Sequence, residues 1–284
     1  MQPFDYYRPK NLEEAFEYLT MPGKTVLPLA GGTDFVPMAR DVLWKCDAVV
    51  DIKGIPGLKD LKETSEGLFV GSAVRMVEIS RSALVKSGWD VLAQGASVVG
   101  SDQIRNRATL GGNMCTASPC ADTLAPLAAL NAVVVLRSKQ GERRVPFVEF
   151  FTFVRKTVLQ KGELVMGVIL PKTSQGTVGS YEKLSRRRGC DLSIVSVAAV
   201  AAPKNGGYEW RVALGAVAPT VMRVAEAEAI LGKGRSSEEI QKAAEAAAVA
   251  SKPISDIRSS EAYRRVMVRN MTKRAVESVI AKMA

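Results

Sequence analysis

The apolar positions of the chain fall into short runs and helical stripes that divide it into three stretches. In the first, Asn11 followed by Glu14 has the spacing of an N-cap with its capping-box partner and opens a helix through about Leu19. Residues 25–30 form a largely apolar run ended by Gly31 and Gly32, which predicts a buried strand. Thr33 or Asp34 then caps a second helix running to about Leu43, and residues 47–52 predict another buried strand. The order helix–strand–helix–strand is a small α/β unit.

Pro56 and Gly57 mark the start of the second stretch. Residues 58–71 hold two strand-like pieces around Ser65-Glu66-Gly67, a hairpin signal. Helical stripes follow near 76–86 and 89–99. After a glycine turn at Gly111-Gly112, residues 121–130 read as helix and 132–137 as strand. Beyond Pro171 the pattern changes. Residues 178–184, 194–202 and 208–217 predict antiparallel strands, the last two joined through 204–207. Helices are predicted at 221–231, at 237–250, and from about Ser260 onward. Three strands followed by three helices suggest an α+β unit.

Composition narrows the chemistry. The 284 residues are 47% hydrophobic, enough for a substantial core, and no apolar run approaches the roughly 20 residues that span a bilayer. Met1 to Asp5 lacks the features of a secretory signal, so a cytoplasmic protein without membrane insertion is expected. Cys46, Cys115, Cys120 and Cys190 are too scattered for a disulfide framework or a paired zinc site and read as reduced thiols. The chain has no histidine, which removes Ser/His/Asp and Cys/His triads and the commonest zinc and haem ligand. A bound cofactor is therefore the expected source of chemistry, and a flavin could not be tethered through histidine. The net charge of +10 includes two concentrations, Arg186 to Arg188 and Arg264, Arg265, Arg269, Lys273 and Arg274. Without a zinc finger, an RNP-like motif or a helix-turn-helix pair, these read as a solvated or partner-docking surface rather than a nucleic-acid site.

Two glycine pairs are the sharpest signal. Leu29-Ala30-Gly31-Gly32-Thr33-Asp34-Phe35 and Thr109-Leu110-Gly111-Gly112-Asn113 both read as turns that permit positive φ and bring backbone N–H groups to an anion. The first is followed by a helix start, and together they could grip the two phosphates of a dinucleotide. Neither matches the Rossmann or P-loop pattern.

The context of the second pair is more specific. Arg105-Asn106-Arg107-Ala108 leads into it, and Ser118-Pro119, Asp122 and Leu124-Ala125-Pro126 follow. This sequence resembles the fingerprint of the FAD-binding (medium) subunits of the xanthine dehydrogenase and carbon monoxide dehydrogenase family of molybdenum hydroxylases. The resemblance covers nearly the whole chain. It includes Phe4, Tyr6 and Pro9 followed by Leu12-Glu13-Glu14-Ala15, the Leu29 to Asp34 turn, Gly71-Ser72-Ala73-Val74, and Arg186-Arg187 with Asp191.

The resemblance implies an α+β fold: a two-subdomain, vanillyl-alcohol-oxidase (PCMH)-type FAD-binding domain over residues 1–173, divided near 56, then a flavoprotein C-terminal domain over 174–284 with a three-stranded antiparallel sheet and helices. It implies non-covalent FAD contacted by Pro28, Leu29, Ala30, Gly31, Gly32, Thr33, Asp34 and Phe35 on one side. On the other side it implies contacts from Val99, Thr109, Leu110, Gly111, Gly112, Asn113 and Asp122, with Val165 and Lys183 near the flavin. No catalytic side chain and no metal ligand is assigned. Molybdopterin and two [2Fe–2S] clusters are implied only in partner subunits, a large and a small one, forming a heterotrimer that passes electrons through FAD to an external acceptor. Leu192 stands where several relatives carry an aromatic residue, and Cys115 and Cys120 lack the loop that holds a four-iron cluster in others. Two other readings remain open at this point: a free-standing flavin reductase of the same fold, and a basic binding protein without a cofactor.

Overall fold

The computed structural model describes residues 1–283. The first stretch forms β1 (Asp5–Tyr7), α1 (Leu12–Leu19), β2 (Val26–Leu29), α2 (Phe35–Arg40) and β3 (Ala48–Asp51). The strands make a parallel sheet in the order β1-β3-β2. β3 is buried at every position because it lies between two strands, which is why Ala48, Val49 and Val50 are consecutive apolar residues rather than an alternation; the strand ends in a buried Asp51. Asn11 caps α1 as expected, its side chain accepting from the Glu14 N–H at 2.8 Å. β1 was not predicted, since three residues carry too little periodicity to read. α2 stops three residues before the expected end, and neither Thr33 nor Asp34 caps it through a side chain.

The second stretch begins with β4 (Leu61–Glu63) and β5 (Gly67–Gly71). It continues with α3 (Met76–Arg81), α4 (Ala83–Gly88), α5 (Asp90–Ser97), α6 (Asp102–Arg105), α7 (Leu110–Thr116) and α8 (Leu124–Ala129). It closes with β6 (Val133–Ser138), β7 (Gly141–Pro146), β8 (Phe151–Phe153), β9 (Lys156–Thr157) and β10 (Leu164–Pro171). The main sheet runs β4-β5-β10-β6-β7 and is antiparallel. β10 is its central strand and lies in the interior on both faces, so it too shows no alternation for a sequence reading to catch. Gly111 and Gly112 are not in a turn: they occupy the first turn of α7, capped by Thr109.

The third stretch contains β11 (Val178–Leu184), β12 (Val195–Lys204), β13 (Gly207–Gly215), β14 (Met222–Arg223), α9 (Ala225–Lys233), α10 (Ser237–Ala250) and α11 (Glu261–Ala281). Its antiparallel sheet has four strands in sequence order, not the expected three. The added strand is β14, which takes the start of the segment predicted as helix from 221. β12 is apolar on both faces. Val195, Val197, Ala199 and Ala201 pack with α9, α10 and α11, while Ala198 and Val200 turn toward the helices of the second stretch. The basic residues of α11 are largely paired within the fold. Arg264 is buried and holds the carbonyls of Ile194 and Ala216 and the Asp256 carboxylate, while Arg265, Arg269 and Arg274 pair with Glu261, Glu245 and Glu182. Buried Arg264 ties α11 to the rest of the unit, whereas Arg265, Arg269 and Arg274 keep much of their side chains in solvent, where such pairs add little to stability.

Candidate functional site

The first glycine pair sits where the chain leaves the C-terminal edge of the parallel sheet, just after β2. Gly32 adopts φ +76°, the left-handed conformation that favours glycine. A Cβ on Gly31 would collide with the backbone carbonyl of Arg107, so the two walls of the site touch here only because residue 31 lacks one. Among the described residues, the N–H groups of Gly31, Gly32, Thr33 and Asp34 meet no acceptor. Consecutive free N–H groups around a left-handed glycine form an anion-binding concavity. The Asp34 carboxylate accepts from the Thr116 hydroxyl at 3.1 Å, tying this turn to the end of α7.

The second pair is different in kind. Neither Gly111 nor Gly112 has a positive φ. The Leu110 and Gly111 N–H groups donate to the carbonyls of Val74 and Ser72, at 3.0 and 2.8 Å, and the Gly112 N–H donates to the Thr109 hydroxyl at 3.2 Å. The backbone donors expected to face an anion are thus engaged inside the protein. Gly111 lacks a side chain because a Cβ would fall 2.5 Å from that of Ser72. What this wall has left are side chains. Thr123 donates to the Asn113 Oδ1 at 2.6 Å, leaving the amide –NH₂ without a partner. The Ser72 hydroxyl is buried and has no partner among the described residues.

Between these walls runs a cleft of about 920 Å³. Pro28, Leu29, Ala30, Gly31, Gly32, Thr33, Asp34 and Phe35 line one side; Val99, Thr109, Gly111, Gly112, Asn113, Asp122 and Val165 line the other. Two expected residues do not reach it. Leu110 points into the core and is fully buried. Lys183 lies behind the wall, with its ammonium 2.8 Å from the Asp122 Oδ2 and 3.3 Å from the Val98 carbonyl. The sequence reading missed Trp44, Ser72, Cys115 and Glu163, all of which line the cleft. Glu163 was within reach, since it lies two residues before the expected Val165. Trp44 lies in a loop with no motif to flag it.

The buried charges of the cleft wall are all committed. Asp122 accepts from the hydroxyls of Tyr181 and Ser193, each at 2.8 Å, besides pairing with Lys183. Burial pushes its carboxyl above the ordinary value, against the pull of Lys183 and the two hydroxyls. Arg143 grips Glu163 through two hydrogen bonds of 2.7 and 2.8 Å and holds its carboxyl below the ordinary value. Cys115 opens onto the cleft, but the protein packed around it pushes its thiol up to about 12, so it stays protonated at neutral pH. Among the described residues, no group of three or more His, Cys, Asp or Glu side chains could hold a metal ion. A long cleft with free backbone donors on one wall and unpartnered hydroxyl and amide groups on the other fits an extended dinucleotide such as FAD.

Comparison with known proteins agrees. Residues 2–173 match the family described as the FAD binding domain in molybdopterin dehydrogenase, and residues 180–279 match the CO dehydrogenase flavoprotein C-terminal domain. The chain belongs to this molybdopterin dehydrogenase family. It is 32% identical to the carbon monoxide dehydrogenase medium chain of Hydrogenophaga pseudoflava, over 99% of this chain and 98% of that one. It is 29% identical to the xanthine dehydrogenase FAD-binding subunit of Escherichia coli O157:H7, over 97% and 96% of the two chains. The solved carbon monoxide dehydrogenase from H. pseudoflava, in a form lacking the Mo-pyranopterin moiety of its cofactor, contains a chain that superimposes with a TM-score of 0.94 at 33% identity, covering all of both. The expected fold, an FAD-binding domain followed by a flavoprotein C-terminal domain, therefore holds, as does the role of an FAD-binding subunit of a molybdenum hydroxylase, an oxidoreductase. No described helix is long and apolar enough to cross a membrane.

Proposed function

We propose that this chain holds FAD non-covalently in the cleft and relays electrons from the iron–sulfur clusters of a small partner subunit to an external acceptor, within a cytoplasmic heterotrimer whose large subunit carries molybdopterin. The chain divides into an FAD-binding domain over 1–173, with subdomains meeting near residue 56, and a C-terminal domain over 174–284. Bound FAD would supply one- and two-electron transfer. The protein's part is to bind, orient and shield it. Gly31 to Asp34 hold the pyrophosphate through their free N–H groups, and Thr109 and Asn113 approach from the facing wall. Val99 and Val165 give apolar contact, and Asp122, backed by Lys183, lies beside the cofactor.

The observation that carries this reading is the run of four unpaired N–H groups opening onto a dinucleotide-sized cleft. The commitment of Asp122 and Glu163 to internal partners speaks against a free-standing reductase, which would need a proton donor of its own. Acid precipitation of the purified protein is expected to release FAD into the supernatant. Flavin retained in the pellet, or a different nucleotide in solution, would contradict the assignment. Isolation from the native source is expected to bring an iron–sulfur protein and a molybdopterin protein in equal amounts.

A further inference from the structure

Asp51 is buried at the end of β3, away from the cleft, and its charge calls for an account. Three strands of the first sheet converge on it. The Tyr6 hydroxyl, from β1, donates to its Oδ2. The Lys53 N–H donates to its Oδ1 at 3.0 Å, and the Lys53 ammonium lies 2.6 Å from the same oxygen. The ammonium also donates to the Ala30 carbonyl at 3.0 Å, and Ala30 is the residue that links β2 to the Gly31–Asp34 turn. A single chain of hydrogen bonds, Tyr6–Asp51–Lys53–Ala30, therefore joins β1, the end of β3 and the residue that follows β2, whose carbonyl shares a peptide with the first of the four free N–H groups.

We propose that Lys53, held by Asp51, is the positioning residue of the phosphate-binding turn, fixing the Ala30 peptide so that the N–H groups that follow it converge on the cofactor's phosphates. This rests on the FAD reading above. Lys53 does not line the cleft, so it acts through the turn rather than by touching the ligand. Its charge has a second effect. The ammonium neutralises a buried carboxylate beneath an anion site, and without it the Asp51 charge would oppose a phosphate from behind. The ligand class affected is thus any one carrying the phosphates, whereas the isoalloxazine and ribityl portions are indifferent to it.

The test uses the full-length chain stripped of cofactor and titrated with FAD, ADP and riboflavin. Lys53→Met is expected to weaken FAD and ADP by about tenfold or more, while riboflavin is bound as by the wild type. Lys53→Arg is expected to regain most of the loss. The double variant Asp51→Asn/Lys53→Met is expected to bind FAD more tightly than Lys53→Met alone, because the uncompensated charge is gone. Wild-type affinity in Lys53→Met, or an equal loss for riboflavin, would overturn the proposal while leaving the FAD site standing. A wild-type chain that bound neither FAD nor ADP would remove the FAD reading itself, and this inference with it.

Discussion

Gly31-Gly32 and Gly111-Gly112 are the same dipeptide on facing walls of one cleft, and the backbone uses them in opposite ways. At the first, Gly32 turns left-handed and four successive N–H groups are left free. At the second, both glycines are helical and the N–H groups of Leu110, Gly111 and Gly112 are taken by Val74, Ser72 and Thr109. One wall offers backbone donors; the other has spent them and offers Ser72, Thr109 and Asn113 side chains. A Gly-Gly pair thus announces close approach of the backbone to something, but not to what. At Gly111 the neighbour is Ser72 and at Gly31 it is the Arg107 carbonyl, whereas a Cβ at Gly32 would make only ordinary contacts with Leu29 and Val36, and that glycine answers to its positive φ.

This contrast predicts that the first wall is sensitive to backbone changes and the second to side-chain changes. The largest effect on cofactor binding is expected from Gly32→Val. A branched residue held at φ +76° costs on the order of 2 kcal/mol, and relaxing that strain turns the neighbouring N–H groups away from the ligand. FAD affinity is expected to fall by roughly thirtyfold or more with the far-UV spectrum unchanged, since about 1.4 kcal/mol corresponds to a factor of ten. Full FAD occupancy in this variant would mean that the phosphates lie elsewhere.

A smaller and opposite-signed pair of effects is expected at Ser72. Its hydroxyl is buried without a partner in a residue that lines the cleft beside Gly111, and bound FAD is expected to supply that partner. Ser72→Ala is expected to leave the cofactor-free chain as stable or slightly more so, because an unsatisfied buried group is lost. It is also expected to weaken FAD by about 1 kcal/mol, the net worth of one hydrogen bond. Melting curves with and without FAD measure both. Equal destabilisation in the two states would assign Ser72 to ordinary packing.

The sequence made most of this wall-and-cleft arrangement readable, and its failures have physical causes. α1, α10, β11, β12 and β13 are long or periodic enough to read directly, β3 shows as a short apolar run, and the motif positions 28–35 all line the cleft. β1, β8, β9 and β14, of two or three residues each, carry no period. β10 is buried on both faces and loses the alternation that identifies a strand. The second glycine pair was read as a turn because Gly-Gly usually breaks helices, whereas Thr109 caps this one and its closeness to Ser72 excludes any larger residue at 111. Ser72 and Lys53 went unread for a different reason: what matters about each is a partner, or the lack of one, far away in sequence.

Lys183 gives the finest test of the second wall. The resemblance implies Lys183 near the flavin, but the residue sits behind Asp122 with its ammonium 2.8 Å from that carboxylate. As a pair the two contribute little net charge to the cleft, so the tuning depends on the balance between them. Lys183→Met would leave Asp122 with only Tyr181 and Ser193 as hydroxyl donors. An ionised carboxylate there adds negative charge beside a cofactor that becomes more negative on reduction, and the potential is expected to fall. At an effective dielectric near 20 the Coulomb interaction is largely offset by solvent and by the two hydroxyls, leaving about 1 kcal/mol, or roughly 20 mV for a two-electron couple. Spectroscopic redox titration of the loaded variant measures this. The double variant Asp122→Asn/Lys183→Met, which removes both charges, is expected to return toward the wild-type potential. A drop of equal size in both variants would mean that the ammonium itself acts on the flavin and that Asp122 does not mediate its effect.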